Sequence, residues 1–299
     1  MKTKYLFLIA ISFFVASLIS CQKDFTIDNI TNRTDSTVNP PVGLDSNYLD
    51  KIVQYDTTSN NTIDSTTQIF KYDANKRLIN ITEKFVVNNV VDSGIFLKFF
   101  YNGNDSLPFK ATADNDSFKL FFFYDLSGKL IKDSLINVDV SYSNDHVTNF
   151  SYSNNKIFAN SVSHYSPSFP TGVSILNKDT ITTDASGNFL SSISYVNNTG
   201  VFQKTYLINN IFDSKISPYS KVSAYRMFIL ANQIPSEFPF AYAKNNLVRE
   251  VLNNYQTIGG VTSLFYTSQR DFINSYYPNN FLKSHKTTGE NYNYFYKAL

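Results

Sequence analysis

Three histidines, His146, His164 and His285, are the side chains best suited to metal binding or proton transfer, and they lie far apart in the chain. None has a second histidine or a glutamate at ligand spacing, so no metal site is expected. His146 precedes Val147 in an alternating run, which predicts a half-exposed strand residue. Asp114-Asn115-Asp116 and Asn104-Asp105-Ser106 carry oxygens of the kind calcium takes, yet neither runs on to the distal Glu of a full loop. Their expected role is turn capping. The patterns G-x-S-x-G, H-E-x-x-H, C-x-x-C and the P-loop are absent. No catalytic residue and no cofactor is expected, and a hydrolase assembled in space from scattered Asp, Glu and His is the enzymatic alternative.

The remaining reactive group is the thiol of Cys21, the single cysteine of 299 residues. Lys2 and Lys4 form a basic start, and Tyr5 to Leu18 follow without a charge and nearly all apolar. A basic start, an apolar core of about 7–15 residues and a small residue before the cut make an export signal. The run is shorter than the about 20 apolar residues of a transmembrane helix. Leu18-Ile19-Ser20-Cys21 resembles the bacterial lipobox, in which the precursor is cut before the cysteine and the thiol is acylated. The resemblance implies residues 1–20 as a removed signal peptide and Cys21 as the lipidation site. Two or more acyl chains hold a protein firmly, at about 0.8 kcal/mol per buried methylene. Gln22 in place of Asp favours the outer membrane under the sorting rule of such lipoproteins. Cys21-Gln22-Lys23-Asp24 is similar to their short export signal to the cell surface, with the periplasmic face as the alternative.

Composition narrows the partners. Removing residues 1–20 takes Lys2 and Lys4 and no acid, which leaves 24 basic and 24 acidic side chains. A chain of zero formal charge steers neither nucleic acid nor anionic lipid from a distance, so the lipid on Cys21 is the expected membrane contact. With its one cysteine acylated, the mature chain has no disulfide, and stability must come from the core. About 250 folded residues suffice, since such chains bury roughly 75% of their surface.

The elements that would position any site are strands. With 27 Phe, 21 Tyr and no Trp, the chain is rich in strand formers. Residues 21–47 hold Pro40-Pro41, Gly43 and many Asn, Thr and Asp, which predicts a lipidated N-terminus and disordered tether. From Tyr48 onward apolar and polar residues alternate, as in Ile136, Val138, Val140 and Tyr142, or Ile79 and Ile81. Phe202, Lys204, Tyr206 and Ile208 form another such row. Ile95 to Tyr101 and Phe118 to Tyr124 are apolar on both faces apart from Lys98 and Lys119, which predicts central strands or strands facing a second layer. Between the runs a unit recurs in which a leucine follows an aromatic by six residues: Tyr72 to Leu78, Tyr101 to Leu107 and Tyr124 to Leu130. Tyr152 to Ile157 is one residue shorter, Thr183 to Phe189 keeps the length, and Tyr276 to Leu282 is a sixth copy. An Asp or Asn after the aromatic caps the turn, and Gly, Asn or Ser tolerates positive φ.

Near the end Val222, Tyr225 and Ile229 have helical spacing, and Phe240, Ala243, Leu247, Val251 and Tyr255 form a second stripe. The expected fold is mostly β. It is a long antiparallel meander over residues 48–299, curling into a barrel-like or sandwich sheet, with a helical pair inserted near 219–256.

The lipobox, polar tether, repeated Tyr-Asp-x-x-x-Arg/Lys-Leu hairpins and late helices resemble an uncharacterised family of β-rich Gram-negative lipoproteins whose fold has been described as porin-like. The hairpins are also loosely similar to tyrosine-aspartate repeats. The likeness spans about residues 48–299; it implies architecture and no site. The function class expected is a lipid-anchored envelope lipoprotein, a non-catalytic surface binding or structural module. Alternatives are a carrier of an apolar ligand in a curled-sheet cavity, and glycan or peptide binding on an aromatic platform.

Overall fold

Four turns of one construction space the strands. In the computed structural model, which describes residues 47–57, 63–87, 90–113, 116–137, 144–165, 174–197, 200–232 and 242–299, Asp73 N donates to Arg77 O and Lys76 N donates to Asp73 O. The same two bonds recur over Asp125–Lys129, Asp184–Asn188 and Tyr277–Phe281. In each turn the fourth residue has positive φ: Lys76 at 63°, Gly128 at 80°, Gly187 at 88° and Asn280 at 66°. Asp73, Asp125 and Asp184 each accept two backbone N–H bonds on Oδ1, from the residues two and four places on. Across each turn the expected partners meet: Tyr72 with Leu78, Tyr124 with Leu130, Thr183 with Phe189, and Tyr276 with Leu282. The Tyr152 unit is a two-residue hairpin, with Ser153 facing Lys156 and Asn154 at φ 53°. The Tyr101 unit departs from expectation. Its return strand starts only at Lys110, and Arg77 donates to the carbonyls of Gly103 and Asp105.

Among the described residues, all within one unit, Pro40–Leu299, the strands follow in chain order. The first nine are β1 (Asn47–Thr57), β2 (Ile63–Tyr72), β3 (Leu78–Val87), β4 (Val90–Phe100), β5 (Lys110–Thr112), β6 (Phe118–Tyr124), β7 (Leu130–Asn137), β8 (Asn144–Ser153) and β9 (Lys156–Tyr165). Then come β10 (Ser174–Thr183), β11 (Phe189–Asn197), β12 (Gln203–Ile216), β13 (Asn245–Ile258), β14 (Val261–Asp271), β15 (Ile273–Tyr276), β16 (Leu282–Thr287) and β17 (Glu290–Ala298). Each paired neighbour is antiparallel, and β1 pairs with both β2 and β17. Strands β14 and β15 are separated only by Phe272. The result is one nearly closed, barrel-shaped meander, the architecture that the alternation and turns predict.

One end of the barrel is filled. Ser217 caps a 3₁₀ turn, Pro218–Lys221, and α1 (Ser223–Asn232) follows. Ala224, Tyr225, Phe228, Ile229, Leu230 and Ala231 are all buried, so most of the helix surface is covered, and Arg226 and Met227 are partly exposed. Tyr225 meets Phe70 at 6.2 Å, and Phe228 meets Phe99 at 6.4 Å and Phe118 at 6.2 Å. Helix α1 therefore sits inside the sheet, at the end where the Asp-capped turns lie. Asn47, paired with Ala298, marks the same end as the place where the chain joins the barrel.

One expectation needs correction. Among the described residues the helical pair over 219–256 reduces to one full helix, α1, because Leu247, Val251 and Tyr255 of the second stripe lie in β13, while Phe240 falls outside the described residues. A register shift between Ile211 and Phe212 opposite Leu247 and Arg249 breaks the two-residue alternation there, and Leu247 and Glu250 take on a helix-like spacing. Of the two places expected for the apolar runs, β4 and β6 take the central one, each paired on both sides, and their outer faces meet solvent. Phe100 and Phe123 stay exposed there, with Lys110 and Lys132 over their rings at 4.0 and 5.4 Å. No described helix is long and apolar enough to cross a membrane.

Candidate functional site

Strand register divides every strand into an inward and an outward row, because directly opposed residues share a face. The inward rows change character along the barrel axis. On β3, Leu78 and Ile81 are buried, Glu83 is half-buried and Phe85 is 41% exposed. On β9, Ile157, Ala159 and Ser161 are buried and Ser163 is half-exposed. On β17, Tyr296 and Tyr294 are buried and Tyr292 is partly exposed. Among the described residues, burial thus falls from the filled end, the base, towards the opposite end, the mouth, and polar side chains become more frequent along the inward rows in the same direction.

Polar pairs line the inner wall on β2–β3, β7–β9, β10–β14 and β16–β17. Asp133 opposes Thr148, whose Oγ1 lies 3.0 Å from Ser161 Oγ. Asp179 opposes Ser194, which opposes Tyr206, and the Tyr206 hydroxyl donates to Asp179 Oδ1 at 3.2 Å. Asn254 opposes both Tyr206 and Tyr266 and donates to the Tyr266 hydroxyl at 3.3 Å. Glu250 Oε1 accepts from Arg270 Nε at 3.0 Å and Nη2 at 2.7 Å. Gln68 donates to Glu83 at 2.7 Å, and His285 stands 3.1 Å from the buried Tyr294 hydroxyl.

Burial governs the electrostatics of this wall. It pushes Asp179 up to about 6, against hydrogen bonds from Ser194 and Tyr206. Asp133 is raised by burial, with His146 Nε2 3.4 Å from its Oδ1 pulling the other way. Glu83 and Glu250 are raised by burial, opposed by Gln68 and Arg270 respectively. Burial, aided by the charge of Arg270, holds His285 down at about 3, so it is a neutral imidazole. The outward rows are basic instead. Lys84, Lys98, Lys119, Lys132, Lys178 and Arg249 alternate with inward residues on six strands. Lys204, expected beside Tyr206, also turns outward: a register shift between Ser194 and Tyr195 sends it over the Tyr255 ring at 3.9 Å. The wall therefore carries carboxylates, amides and tyrosines inside, and lysines outside.

The residues singled out in the sequence do not converge. His146 lies beside Asp133, His164 Nδ1 is 3.0 Å from Ser174 Oγ at an exposed position, and His285 is buried. Among the described residues no three His, Cys, Asp or Glu side chains form a metal-sized group. In the Asn104–Ser106 loop Arg77 takes the carbonyls that a cation would need. Asp116 has φ 52°, and Asp114 and Asn115 lie outside the described residues, as does Cys21. A cleft of about 580 Å³ at the base is lined by Asp184, Asn188, Asn210, Asp213 and Asn245. Its polar groups serve the fold: Asn188 bridges Asp184 and Asn245, and Asp213 accepts from Lys215 N and the Tyr276 hydroxyl. The inner-wall partners Asp179, Tyr206, Glu250 and Arg270 escaped the sequence reading. Their signal is a polar residue at an apolar phase of an alternating strand, visible only once register is known.

No known family model matches the chain, and no curated protein is significantly similar to it. Among solved structures it is similar to a porin-like protein from Bacteroides uniformis, with 12% identity and a TM-score of 0.49 over 83% of this chain and 98% of that one. A porin-like protein from Bacteroides vulgatus gives 11% identity and a TM-score of 0.44 over 84% and 99%.

Proposed function

We propose that the chain is a non-catalytic, lipid-anchored envelope protein that binds a glycan at the polar end of its barrel, opposite the plug. The observation that carries the reading is the switch of the inward rows from packed apolar side chains to partly exposed Tyr206, Tyr266, Tyr292, Asn254, Gln68 and Glu83. Flat rings beside planar hydrogen-bonding groups suit sugars, whose faces stack and whose hydroxyls both donate and accept. Tyr206, Tyr266, Tyr292, Asn254, Gln68 and Glu83 are the side chains assigned to that role. The apolar-carrier alternative is less well supported, since the apolar half of the interior is occupied by the chain's own helix and rings.

Anchoring is assigned to lipid on Cys21, in the outer membrane and facing the cell exterior. A membrane-spanning barrel needs an outward apolar band about 25 Å tall, and the lysines of the outer wall argue against one here. Residues 21–46, assigned as the tether, lie outside the described residues; the described chain begins at Asn47, at the plugged base, so an anchor upstream of it would leave the mouth free. Labelled palmitate should enter the parent and not the Cys21→Ser variant. Titration calorimetry against neutral polysaccharide fractions should show binding that Tyr206→Ala or Tyr292→Ala weakens at least tenfold. Uptake of a fluorescent fatty acid, with no response to any polysaccharide, would replace this reading by the carrier.

A further inference from the structure

Among the described residues the sheet has two partly unpaired edges: along β4, whose pairing with β5 covers only Lys98–Phe100, and, longer, along β14. Strand β14 pairs with β13 from Asp271 opposite Arg249 to Val261 opposite Ile258. On its other side only the continuation β15 is paired, beginning with Ile273 opposite Lys286, and the β16–β17 hairpin turns immediately beyond Thr287. Along Val261–Asp271 no described strand adds to the second edge. Nine of these eleven positions are exposed, all but Tyr266 and Arg270, with Val261 at 70%, Leu264 at 54% and Phe265 at 63%. A strand of this length presents about 36 Å of unpaired backbone, at 3.3 Å per residue.

Folded proteins blunt such edges with Lys, Pro, inward charges or bulges. From Val261 to Gln269 this strand has no Lys, Pro or charge and a single register shift, at Phe265, whereas the outer wall carries a lysine on β3, β4, β6, β7 and β10. We infer that the free edge of β14 pairs with the same edge of a second copy of this chain. Two identical strands pair antiparallel about a two-fold axis, so each copy satisfies the other's N–H and C=O groups with one and the same patch. The sequence suits this occupant. Its nine uncharged residues set no like charges opposite each other, and Arg270 and Asp271 at one end fall opposite the neutral Val261 and Thr262 end of the partner strand when Tyr266 is central. The axis inverts one barrel relative to the other, so the tethers leave at opposite ends of the pair. The pairing therefore joins copies on facing surfaces or copies free of the membrane.

Sedimentation of the purified full chain in detergent should give a concentration-dependent dimer. Leu264→Lys and Phe265→Lys replace exposed side chains, so they should return monomer with an unchanged unfolding midpoint. Single substitutions Thr262→Cys, Leu264→Cys, Tyr266→Cys and Ser268→Cys should form disulfide-linked dimers with one maximum and a fall on either side, since only a residue near the axis meets its own copy within about 7 Å. A peptide of sequence Val261–Gln269 should compete. Monomer at every concentration, lysine variants that dimerise like the parent, or a flat cysteine profile would each overturn the pairing; binding of a different protein strand at the same edge appears as monomer in the purified sample.

Discussion

The Tyr101 hydroxyl donates to the Leu78 carbonyl at 2.7 Å, fastening β4 to the strand before it. Tyr72 does the same to Leu49 and Tyr152 to Leu130, each at 2.8 Å. The three tyrosines are raised above their ordinary pKa by burial, so they remain donors throughout the ordinary pH range. Tyr101→Phe keeps the ring under the Arg77 guanidinium, 4.5 Å away, and removes only the bond. It should cost about 1–2 kcal/mol, because the buried carbonyl loses its donor. Combining it with Tyr72→Phe and Tyr152→Phe should cost more than any single change, with a departure from the sum for Tyr72 and Tyr101, which share Leu78 as a neighbour. Urea unfolding checks both statements, and an unchanged midpoint for the triple variant would refute them.

Two buried groups pull stability in opposite directions with pH. His285, at about 3 when folded and about 6.5 unfolded, binds a proton only in the unfolded chain between those values, so its term rises with pH. Asp179, at about 6 folded and about 3.9 unfolded, holds a proton only in the folded chain between those values, so its term is present below pH 4 and lost as pH climbs through 6. Over pH 4–6 the two oppose each other. Asp179→Asn should steepen the rise of stability with pH by up to about 1.4 kcal/mol per unit, and His285→Asn should flatten it by a similar amount. Unfolding free energies measured across that window decide; slopes that shift the same way in both variants contradict the assignment.

The turns were legible because their determinants are local. Asp73, Asp125 and Asp184 each bracket their own backbone, and the six-residue spacing to a buried Leu or Phe follows from that bracket. Helix α1 was legible for the same reason, from Val222, Tyr225 and Ile229. Strand β13 was not: a register shift mixed two periods, and only pairing with β12 selects one of them. The inner wall was hidden for a deeper reason. Asp179 and Tyr206 are 27 residues apart and become partners through three strands in register, which no local pattern encodes.

Glu250 is 4% exposed and depends on one cation. Both Arg270 bonds fall on Oε1, while Oε2 accepts no hydrogen bond. Arg270→Met should therefore strand a buried carboxylate and cost about 2–3 kcal/mol, below the full range for a buried pair because the Arg270 side chain is 34% exposed. Adding Glu250→Leu should recover most of the loss, since the apolar pair needs no charge compensation. A double-mutant cycle by chemical denaturation measures the difference, and equal stability of the single and double variants would remove Glu250 from the account.

The plug separates a polar cup from an apolar carrier. Phe228 is 4% exposed, lies 6.3 Å from Tyr225 and reaches Phe99 and Phe118 on the far wall. Phe228→Ala removes a ring from a filled space, which should cost about 3–5 kcal/mol and leave an apolar void. Such voids stay dry and take up small hydrocarbons. Benzene should thus raise the unfolding midpoint of the variant and leave the parent unmoved, because in the parent the space is already occupied. If benzene stabilised the parent as well, the base of the barrel would be hollow, and a carrier of apolar ligand would explain it better than a plugged cup.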